Sequence, residues 1–275
     1  MARSVPTRKL ADALRVKPGS KVDLGRFDAG QTLGHDKVSA QATEAELEAS
    51  LTSLQERLWA EAKHPILIVL QGIDASGKDG TIRKVMDAFN PLGCAVISFK
   101  VPTPIELSHD YLWRVHPHVP AKGSISIFNR SHYEDVLVVR VHDLVPGSVW
   151  RKRYRQINDW ERMLTEEGTT IVKFFLYIDR DEQKERLQSR ISDPAKNWKF
   201  SMGDLAERAI WDEYIAAFEE CLERTSTRAA PWYLIPANHK WFRNLAVSRI
   251  VEETLERLDP RYPTPEPGID KVVIE

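Results

Sequence analysis

Residues 68–84 read IVLQGIDASGKDGTIRK and contain the pattern that decides the fold. An apolar run at 66–70 leads into Gly72, and Gly77 and Lys78 follow after four more residues. This is the start of the G-x-x-x-x-G-K-[ST] loop, in which backbone N–H groups and a lysine bind phosphate. Such a loop needs a strand before it and a helix after it, because the helix N-terminus adds partial positive charge. We therefore predict a strand–loop–helix unit that binds phosphate groups. The alternative is a glycine turn that packs the helix on the sheet and leaves the lysine in solvent.

Two acidic residues depart from the usual loop. Asp79 stands where Ser or Thr would offer a hydroxyl to Mg²⁺, and Asp74 lies inside the loop. With the hydroxyl missing, Asp74 can hold Mg²⁺ among the phosphates or orient an incoming phosphate oxygen. It can instead be a turn residue that bonds its own backbone. Asp79 has the plain interpretation of a carboxylate in the first helical turn. The loop residues predicted to surround phosphate are Gly72, Ala75, Ser76, Gly77, Asp79 and Gly80.

Composition limits the other possibilities. The 275 residues are 42% hydrophobic and 29% charged, which fits one large α/β domain or two small ones. Basic and acidic residues number 39 and 40, so nothing global indicates nucleic acid or a membrane surface as a partner. Cys94 and Cys221 have no metal-binding spacing, and we expect reduced core thiols. No signal-like apolar segment and no run of 18 apolar residues occurs, so we expect a cytoplasmic protein.

Strand signals alternate with helix signals along the chain. Short apolar runs between amphipathic helices predict an α/β fold with a parallel sheet covered on both faces. The predicted strands are 66–71, 95–100, 124–128, 170–178 and 232–235. The predicted helices are 78–89, 105–116, 148–167, 181–192, 203–224 and 239–258, preceded by one that Thr43 caps and that carries Leu47, Leu51, Leu54 and Leu58. We divide the chain into an N-terminal arm (1–40), one domain (41–258) and a C-terminal tail (259–275).

A second group of polar residues follows the third predicted strand, in ISIFNRSHYEDVLVVRVH at 125–142. Asn129 and Arg130 come at the end of that strand, where open parallel sheets bind their ligands. The planar guanidinium of Arg130 suits phosphate, and Glu134 could bind a metal through water. The alternative for Arg130 is a surface ion pair with Asp135.

A third, basic segment is DRDEQKERLQSRISDPAKNWKFSMGD at 179–204. Arg186 and Arg190 are four residues apart and share one helix face. Lys196 and Lys199 flank an aromatic residue in the loop after Pro194. Together they resemble a lid, at about 181–204, that closes on anions and excludes water. A solvated charged helix with a connector is the alternative.

Weaker candidates for anion binding also occur. Basic residues crowd the N-terminal end of the helix 148–167, where the dipole disfavours cations unless an anion passes nearby. These residues are Arg151, Lys152, Arg153 and Arg155, and a solvated helix face is the alternative explanation. Lys100 and Arg114 are further candidates for binding an acceptor molecule.

Five segments taken in order resemble the family-2 polyphosphate kinases. They are GIDASGKDGT, FNRSHYEDVLVVRVH, EGTTIVKFF, DPAKNWKF and APWYLIPANHKW, within a match from about Lys63 to Leu258. The resemblance implies a P-loop kinase fold related to thymidylate kinase, with a five-stranded parallel sheet and a helical lid. It also implies reversible, Mg²⁺-dependent transfer of a terminal phosphate between inorganic polyphosphate and a nucleotide. Mn²⁺ is the alternative metal.

The resemblance also assigns roles to residues. It implies that Asp74 binds the metal and the acceptor phosphate, and that Lys78 contacts the transferred phosphoryl group. It implies that the lid cations hold phosphates, namely Arg186, Arg190, Lys196 and Lys199. Asp79 is normal for the family. Asn129-Arg130-Ser131 stands where many members have Asp-Arg-Ser, which resembles the branch acting on nucleoside mono- and diphosphates.

The predicted reaction follows from these roles. Polyphosphate lies in a basic channel with its end near Lys78, and AMP or ADP is positioned by Asp74, Asn129 and Arg130. An ATP-dependent nucleoside monophosphate kinase is one rival, and a non-catalytic nucleotide-binding module is another. We expect adenine nucleotides and polyphosphate as partners, no nucleic acid, and a homo-oligomer whose size no residue pattern specifies.

Overall fold

The computed structural model of the chain describes residues 9–274, apart from the side chain of Met86. Five strands form its sheet: β1 (Ile66–Gln71), β2 (Cys94–Ser98), β3 (Ile125–Asn129), β4 (Thr170–Tyr177) and β5 (Trp232–Pro236). All pairings are parallel, and the strand order is β2-β3-β1-β4-β5. The predicted fold class, a five-stranded parallel α/β sheet of the P-loop kinase type, is confirmed.

Eleven α-helices are described between residues 9 and 274. They are α1 (Leu10–Leu14), α2 (Lys37–Ala42), α3 (Glu44–Glu61), α4 (Lys78–Met86), α5 (Pro104–Leu107), α6 (Val138–Val141), α7 (Gly147–Glu166), α8 (Arg180–Ser192), α9 (Gly203–Ala209), α10 (Trp211–Thr225) and α11 (Lys240–Leu258). None of the helices in this part of the chain is both long enough and apolar enough to cross a membrane.

The core lies on both faces of the sheet, as expected for parallel strands. Alternate β1 residues face opposite sides: Ile68 and Leu70 join the layer of α3, α4 and α11, while Leu67 and Val69 join that of α7 and α10. In α3 the four leucines at helical spacing are buried in the first layer. Thr43 precedes this helix as predicted, but its side chain makes no capping bond to it. The central strand is thus buried along its whole length.

The predicted helix 105–116 is wrong for most of its length, because α5 covers only its first three residues. The hydroxyl of Ser108 donates to the carbonyl of Ile105. The amide of Leu112 donates to the carboxylate of Asp110. Short polar side chains that bond the nearby backbone compete with helix formation, and they close turns here instead.

The predicted helix 203–224 is two helices, separated at Ile210. Of the two, α10 buries Tyr214 and Phe218, whereas α9 buries none of its residues. The break lets α10 lie on the core, whereas α9 stays outside it. Hydrophobic periodicity did not predict this break, because packing against the core decides where it falls.

The two ends of the chain differ in packing. In the predicted arm, residues 1–8 lie outside the described part, but Leu10 and Leu14 are buried in the core. The amide of Val16 donates to the carbonyl of Trp232 at 2.9 Å, which ties the arm to β5. Helix α2 runs across the predicted boundary at residue 40. The tail is exposed from residue 261 onward as far as the structure describes it.

Candidate active site

The phosphate-binding loop connects β1 to α4 at the centre of the sheet. Gly72 has φ +155°, and a side chain there would meet the carbonyl of Leu176 at 2.6 Å. Gly77 has φ +100°, and its added Cβ would collide with the guanidinium of Arg243. Both positions therefore need glycine, for conformation and for space. Ala75, between them, has φ +67°, which is strained for a residue with a side chain.

Lys78 is the cation at the floor of the loop and is only 9% exposed. Its ammonium donates to the carbonyl of Gly72 at 2.7 Å and to that of Ile73 at 3.4 Å. Burial, together with the nearby charge of Arg130, lowers its pKa to about 8, although Asp74 opposes the shift. A desolvated cation at a helix N-terminus interacts strongly with phosphate, because little water screens it.

Asp74 is paired with Arg130 across the mouth of the loop. The Nη2 atom of Arg130 donates to Oδ1 of Asp74 at 2.8 Å, and its Nη1 lies 3.5 Å from Oε2 of Glu134. Burial lowers the pKa of Arg130, but the two carboxylates outweigh it and raise the value. The predicted alternative, a pair between Arg130 and Asp135, is wrong, because Asp135 binds Arg153 at 2.9 Å.

Asn129 lies beside this pair at the end of β3. Its amide donates to Oδ1 of Asp79 at 2.9 Å and lies 3.5 Å from the hydroxyl of Ser98. Asp79, in the first turn of α4, therefore also accepts a hydrogen bond from the end of β3. The strand register places Asn129 next to Leu70, so the tips of β1 and β3 meet at one point. This is the crevice at which open parallel sheets bind ligands.

A cleft of about 950 Å³ opens above these groups. Its lining is strongly basic, with ten cationic side chains against five acidic ones. The cations are Lys78, Arg83, Lys100, Arg130, Arg186, Arg190, Lys196, Lys199, Lys240 and Arg243, and the acids are Asp74, Asp79, Glu182, Glu185 and Asp204. A protein with almost no net charge has thus concentrated cations in one place, as the sequence required of any anion site.

The predicted lid forms one wall of the cleft. Lys196 pairs with Asp193 at 2.7 Å, and the ammonium of Lys199 lies 4.9 Å from the ring of Trp198. Arg190 donates to the carbonyl of Lys199 at 3.2 Å, which links α8 to the loop. Trp198 is 79% exposed, a large apolar surface for a residue at the edge of a polar cleft.

Arg186, the fourth predicted lid cation, is bound to the loop itself. Its Nη1 donates at 2.9 Å to the carbonyls of Ala75 and Ser76. Its Nη2 donates to the carbonyls of Ala237 and Asn238, after β5. Arg186 therefore ties three segments of the fold together while one edge of it still lines the cleft.

Several predicted residues lie outside the cleft. Gly72 and Ser76 belong to the loop but do not line the cleft, and the buried hydroxyl of Ser76 has no hydrogen-bond partner within the described residues. Glu134 adjoins Asp74 and Arg130 in a small neighbouring cavity of about 30 Å³. Arg114 is buried between Glu106 and the ring of Phe99, so it does not line the cleft.

The basic cluster 151–155 also points elsewhere. Arg153 binds Asp135, Arg155 binds Asp159, and Arg151 lies over the ring of Trp150 at 4.5 Å. None of these residues lines the cleft. Surface partners on the same or a neighbouring segment explain the cluster, as the solvated-face alternative expected.

Sequence reasoning missed three cations of the cleft: Arg83, Lys240 and Arg243. Burial and the charge of Arg186 lower the pKa of Arg243 to about 10. The missed signal was in PANHKWFR at 236–243, where Lys240 and Arg243 occupy the first turn of the helix after β5. Cations at that end of a helix are disfavoured unless an anion approaches, so the rule applied to 151–155 would have found them.

The residues present fit a hard divalent cation that takes some of its ligands from a bound substrate. No group of three or more His, Cys, Asp or Glu side chains within residues 9–274 is arranged to hold a metal alone. Asp74 lines the cleft and offers carboxylate oxygen, the donor that Mg²⁺ prefers. Mg²⁺ commonly takes one or two carboxylates and completes its shell with water and substrate phosphates, so a single carboxylate suffices here.

Comparisons with known proteins agree with this geometry. A family model described as "Polyphosphate kinase 2 (PPK2)" matches residues 34–263. The AMP/ADP-polyphosphate phosphotransferase of Meiothermus ruber is 56% identical over 95% of this chain and 98% of its own length. The ADP-polyphosphate phosphotransferase of Rhodopseudomonas palustris is 43% identical over 95% of both chains. The crystal structure of polyphosphate kinase 2 from Arthrobacter aurescens superimposes with a TM-score of 0.92 at 42% identity, covering 98% of this chain and 95% of the other.

Proposed function

The chain belongs to the polyphosphate kinase 2 family, and from this premise we propose that it transfers the terminal phosphate of inorganic polyphosphate reversibly to ADP and AMP. The observation that carries the proposal is the ten-cation cleft above a phosphate-binding loop. A single nucleotide needs few of these charges, whereas a polyphosphate chain and a nucleotide together can occupy them. The named activities of the relatives at 56% and 43% identity support the same reaction.

The donor side of the reaction is assigned to the loop and the lid. The end of the polyphosphate chain lies at the N-terminus of α4, where Lys78 contacts the phosphoryl group that moves. Arg190, Lys196 and Lys199 contact the following phosphates from the lid wall. Arg243 and Arg186 add charge where they bind the loop, and burial of Arg243 increases its effect.

The acceptor side is assigned to the tips of β1 and β3. Arg130 and Asn129 orient the terminal phosphate of ADP or AMP so that one of its oxygens faces the donor in line. Asp74 fixes the guanidinium of Arg130 at 2.8 Å before the nucleotide binds, so the donor groups are oriented in advance. We assign Lys100, which also lines the cleft, to the nucleotide. Glu134 acts through Arg130.

A divalent metal is implied by the family, and we assign Mg²⁺ to Asp74, with Mn²⁺ as the alternative. When bound, such an ion neutralises the charge of the two phosphate chains that must approach each other. The protein would hold it by Asp74, and the phosphates would supply the remaining oxygens.

Three broader assignments accompany the reaction. We assign the kinase domain to 41–258, with the lid at 181–204, and the N-terminal arm packs on this domain through Leu10 and Leu14. We place the protein in the cytoplasm, because both cysteines are free. We assign a homo-oligomer, because β2 is an edge strand and exposed apolar side chains cluster in sequence around it. They are Leu92, Val96, Val101, Ile105, Leu107 and Trp113. Light scattering of the purified protein measures the state, and a monomer would remove this assignment.

A donor comparison tests the proposed function against its ATP-dependent rival. Purified protein is incubated with AMP and Mg²⁺, and either long-chain polyphosphate or ATP is added as the only donor. We expect ADP to form with polyphosphate and not, at a comparable rate, with ATP. Faster ADP formation with ATP would identify a nucleoside monophosphate kinase, and binding without turnover would identify a non-catalytic module.

A further inference from the structure

A buried ionic network lies directly behind the turn that carries Arg130. Lys173 on β4 is 0% exposed, and its ammonium makes three hydrogen bonds. The acceptors are Oε2 of Glu161 at 2.6 Å, the hydroxyl of Tyr133 at 2.8 Å and the carbonyl of Thr225 at 2.8 Å. The ammonium is thus fully satisfied without water.

Tyr133 connects this network to the active site. Its hydroxyl accepts from Lys173 and donates to Oε1 of Glu161 at 2.7 Å. Its ring packs edge-on against Trp232 at 4.8 Å. Tyr133 comes three residues after Arg130 in the same short turn, so its side chain fixes one end of that turn in the core.

The other end of the turn is fixed to the central strand. The hydroxyl of Ser131 accepts from the amide of Gln71 at 3.0 Å and from the backbone N–H of Tyr133 at 3.1 Å. The backbone N–H of Arg130 donates to the carbonyl of Leu70 at 3.0 Å. Between these anchors Arg130 has φ +61°, a conformation that persists only where the surroundings hold it.

The chemistry of the network indicates that it positions Tyr133 more than it stabilises the fold. Burial raises the pKa of Glu161, but Lys173 and His132 outweigh it and keep the value below normal, so the carboxylate stays charged. A buried ion pair of this kind often contributes no more stability than apolar residues of the same size. What it provides in addition is direction, because two of its hydrogen bonds, one from Lys173 and one to Glu161, fix the hydroxyl of Tyr133.

We propose that Tyr133, held by Lys173 and Glu161, is a positioning residue that keeps the strained turn of Arg130 in the geometry required to bind the acceptor phosphate. This inference rests on the proposed function, since it assigns Arg130 to the acceptor. It predicts that loosening the network affects the nucleotide side of the reaction and spares the polyphosphate side, which the loop and the lid hold.

Tyr133→Phe tests the proposal, because it removes one hydroxyl and keeps the ring against Trp232. We expect kcat/KM for ADP to fall between about tenfold and a hundredfold, as for a small misplacement of a positioning group. The KM for polyphosphate is expected to stay unchanged. A purely structural hydroxyl would lower the melting temperature and leave both substrates equally affected, which would overturn the proposal.

Tyr154→Phe is the matched control. Tyr154 is also buried, and its hydroxyl has no hydrogen-bond partner within the described residues. This variant should leave kcat/KM for ADP at the wild-type value. An equal loss in both variants would show that any buried hydroxyl on this side of the sheet matters, and the specific role of Tyr133 would be refuted.

A double-mutant cycle separates this proposal from the proposed function. In an Arg130→Ala background, Tyr133→Phe should cause no further loss, because the group that it positions is gone. Full additivity of the two losses would refute coupling between them. If Tyr133→Phe does not fold, the pair Lys173→Met with Glu161→Gln replaces it in the same cycle. Absence of ATP formation by the wild type would instead refute the proposed function.

Discussion

The two walls of the cleft carry similar residues in different surroundings. Of the four cations predicted for the lid, Arg186 is bound to the loop and Arg190 is paired with Asp204, so we now keep the name lid cations for Lys196 and Lys199. We call Lys78, Arg186 and Arg243 the loop cations. Lys78 and Arg243 are buried and Arg186 is nearly so, and each donates to the loop's backbone carbonyls. The lid cations lie on a short segment after α8, where Lys196 pairs with Asp193 and Lys199 lies over Trp198.

The difference predicts separate roles for the two sets of cations. Buried cations that are already oriented need no rearrangement when charge develops on a phosphoryl group, and this is the most effective form of electrostatic catalysis. Exposed cations on a short loop can follow a polyanion whose length and position vary, but solvent and salt screen them. We therefore expect the loop cations chiefly to determine kcat and the lid cations chiefly to determine the KM for polyphosphate.

The largest effect should come from Lys78→Ala. The variant removes the cation at the floor of the loop, and we expect kcat to fall by about a thousandfold or more. Steady-state ATP formation from ADP and polyphosphate measures this loss. Lys84→Ala is the matched control, since this lysine lies on the same helix but pairs with Glu44 away from the phosphates. Near-normal turnover in Lys78→Ala would contradict the expectation that the loop cations determine the rate.

Arg186→Ala should affect stability as well as rate. The guanidinium is mostly buried and donates to four backbone carbonyls, so its loss leaves acceptors of two segments without this donor. We expect the free energy of unfolding to fall by about 2–3 kcal/mol. Urea denaturation measures this change. Arg190→Ala, one turn later on α8, should cost less than half as much, and equal costs would contradict the distinction.

The pH dependence of activity and of stability should reveal the titration of Lys78, one of the loop cations. Its pKa of about 8 in the folded state lies below the ordinary value of 10.5, so it loses its proton as the pH rises through about 8. We expect kcat/KM for polyphosphate to fall above this pH, since the neutral amine attracts phosphate less. Stability should change the other way and rise between about pH 8 and 10.5, where the unfolded chain binds more protons.

Lys78→Arg provides the control for this pH profile. Arginine stays protonated throughout the range, so the fall near pH 8 should disappear in whatever activity remains. The same fall in the variant would assign it to another group.

The smallest effect should come from the lid cations. Lys196→Ala combined with Lys199→Ala should leave the free energy of unfolding within about 0.5 kcal/mol, as for exposed charges. The KM for polyphosphate should rise several-fold, about as expected for losing two exposed contacts, and its dependence on salt should weaken. Initial rates at two salt concentrations measure this. A loss of kcat as large as in Arg186→Ala would contradict the distinction between the loop cations and the lid cations.

Much of the fold could be predicted from local signals. The strand–loop–helix unit and the alternation of apolar runs with helices have strong, short-range causes in turn chemistry and periodicity. The turn of 108–112 and the break at Ile210 could not be predicted, because competing side-chain bonds and packing against the sheet decide them. Strand order was also beyond local reasoning, since it depends on which strands meet in three dimensions.

The site was predictable where its residues lie near strand ends. Lys78, Asp74, Asn129 and Arg130 meet in the cleft because the carboxyl ends of β1 and β3 are neighbours. Charge alone gave weaker guidance. It indicated the cluster 151–155, whose members lie outside the cleft. It did not indicate Arg243, which lines the cleft although it is far from the loop in sequence.

One measurement tests the central claim most directly. Purified protein is mixed with ADP, Mg²⁺ and long-chain polyphosphate, and phosphorus NMR follows the nucleotide and the polyphosphate together. The proposal predicts that ATP appears while polyphosphate shortens by one phosphate for each ATP, with no AMP formed at early times. If ATP and AMP instead appear in equal amounts without loss of polyphosphate, the phosphate comes from ADP, and the assignment of polyphosphate as the donor is contradicted.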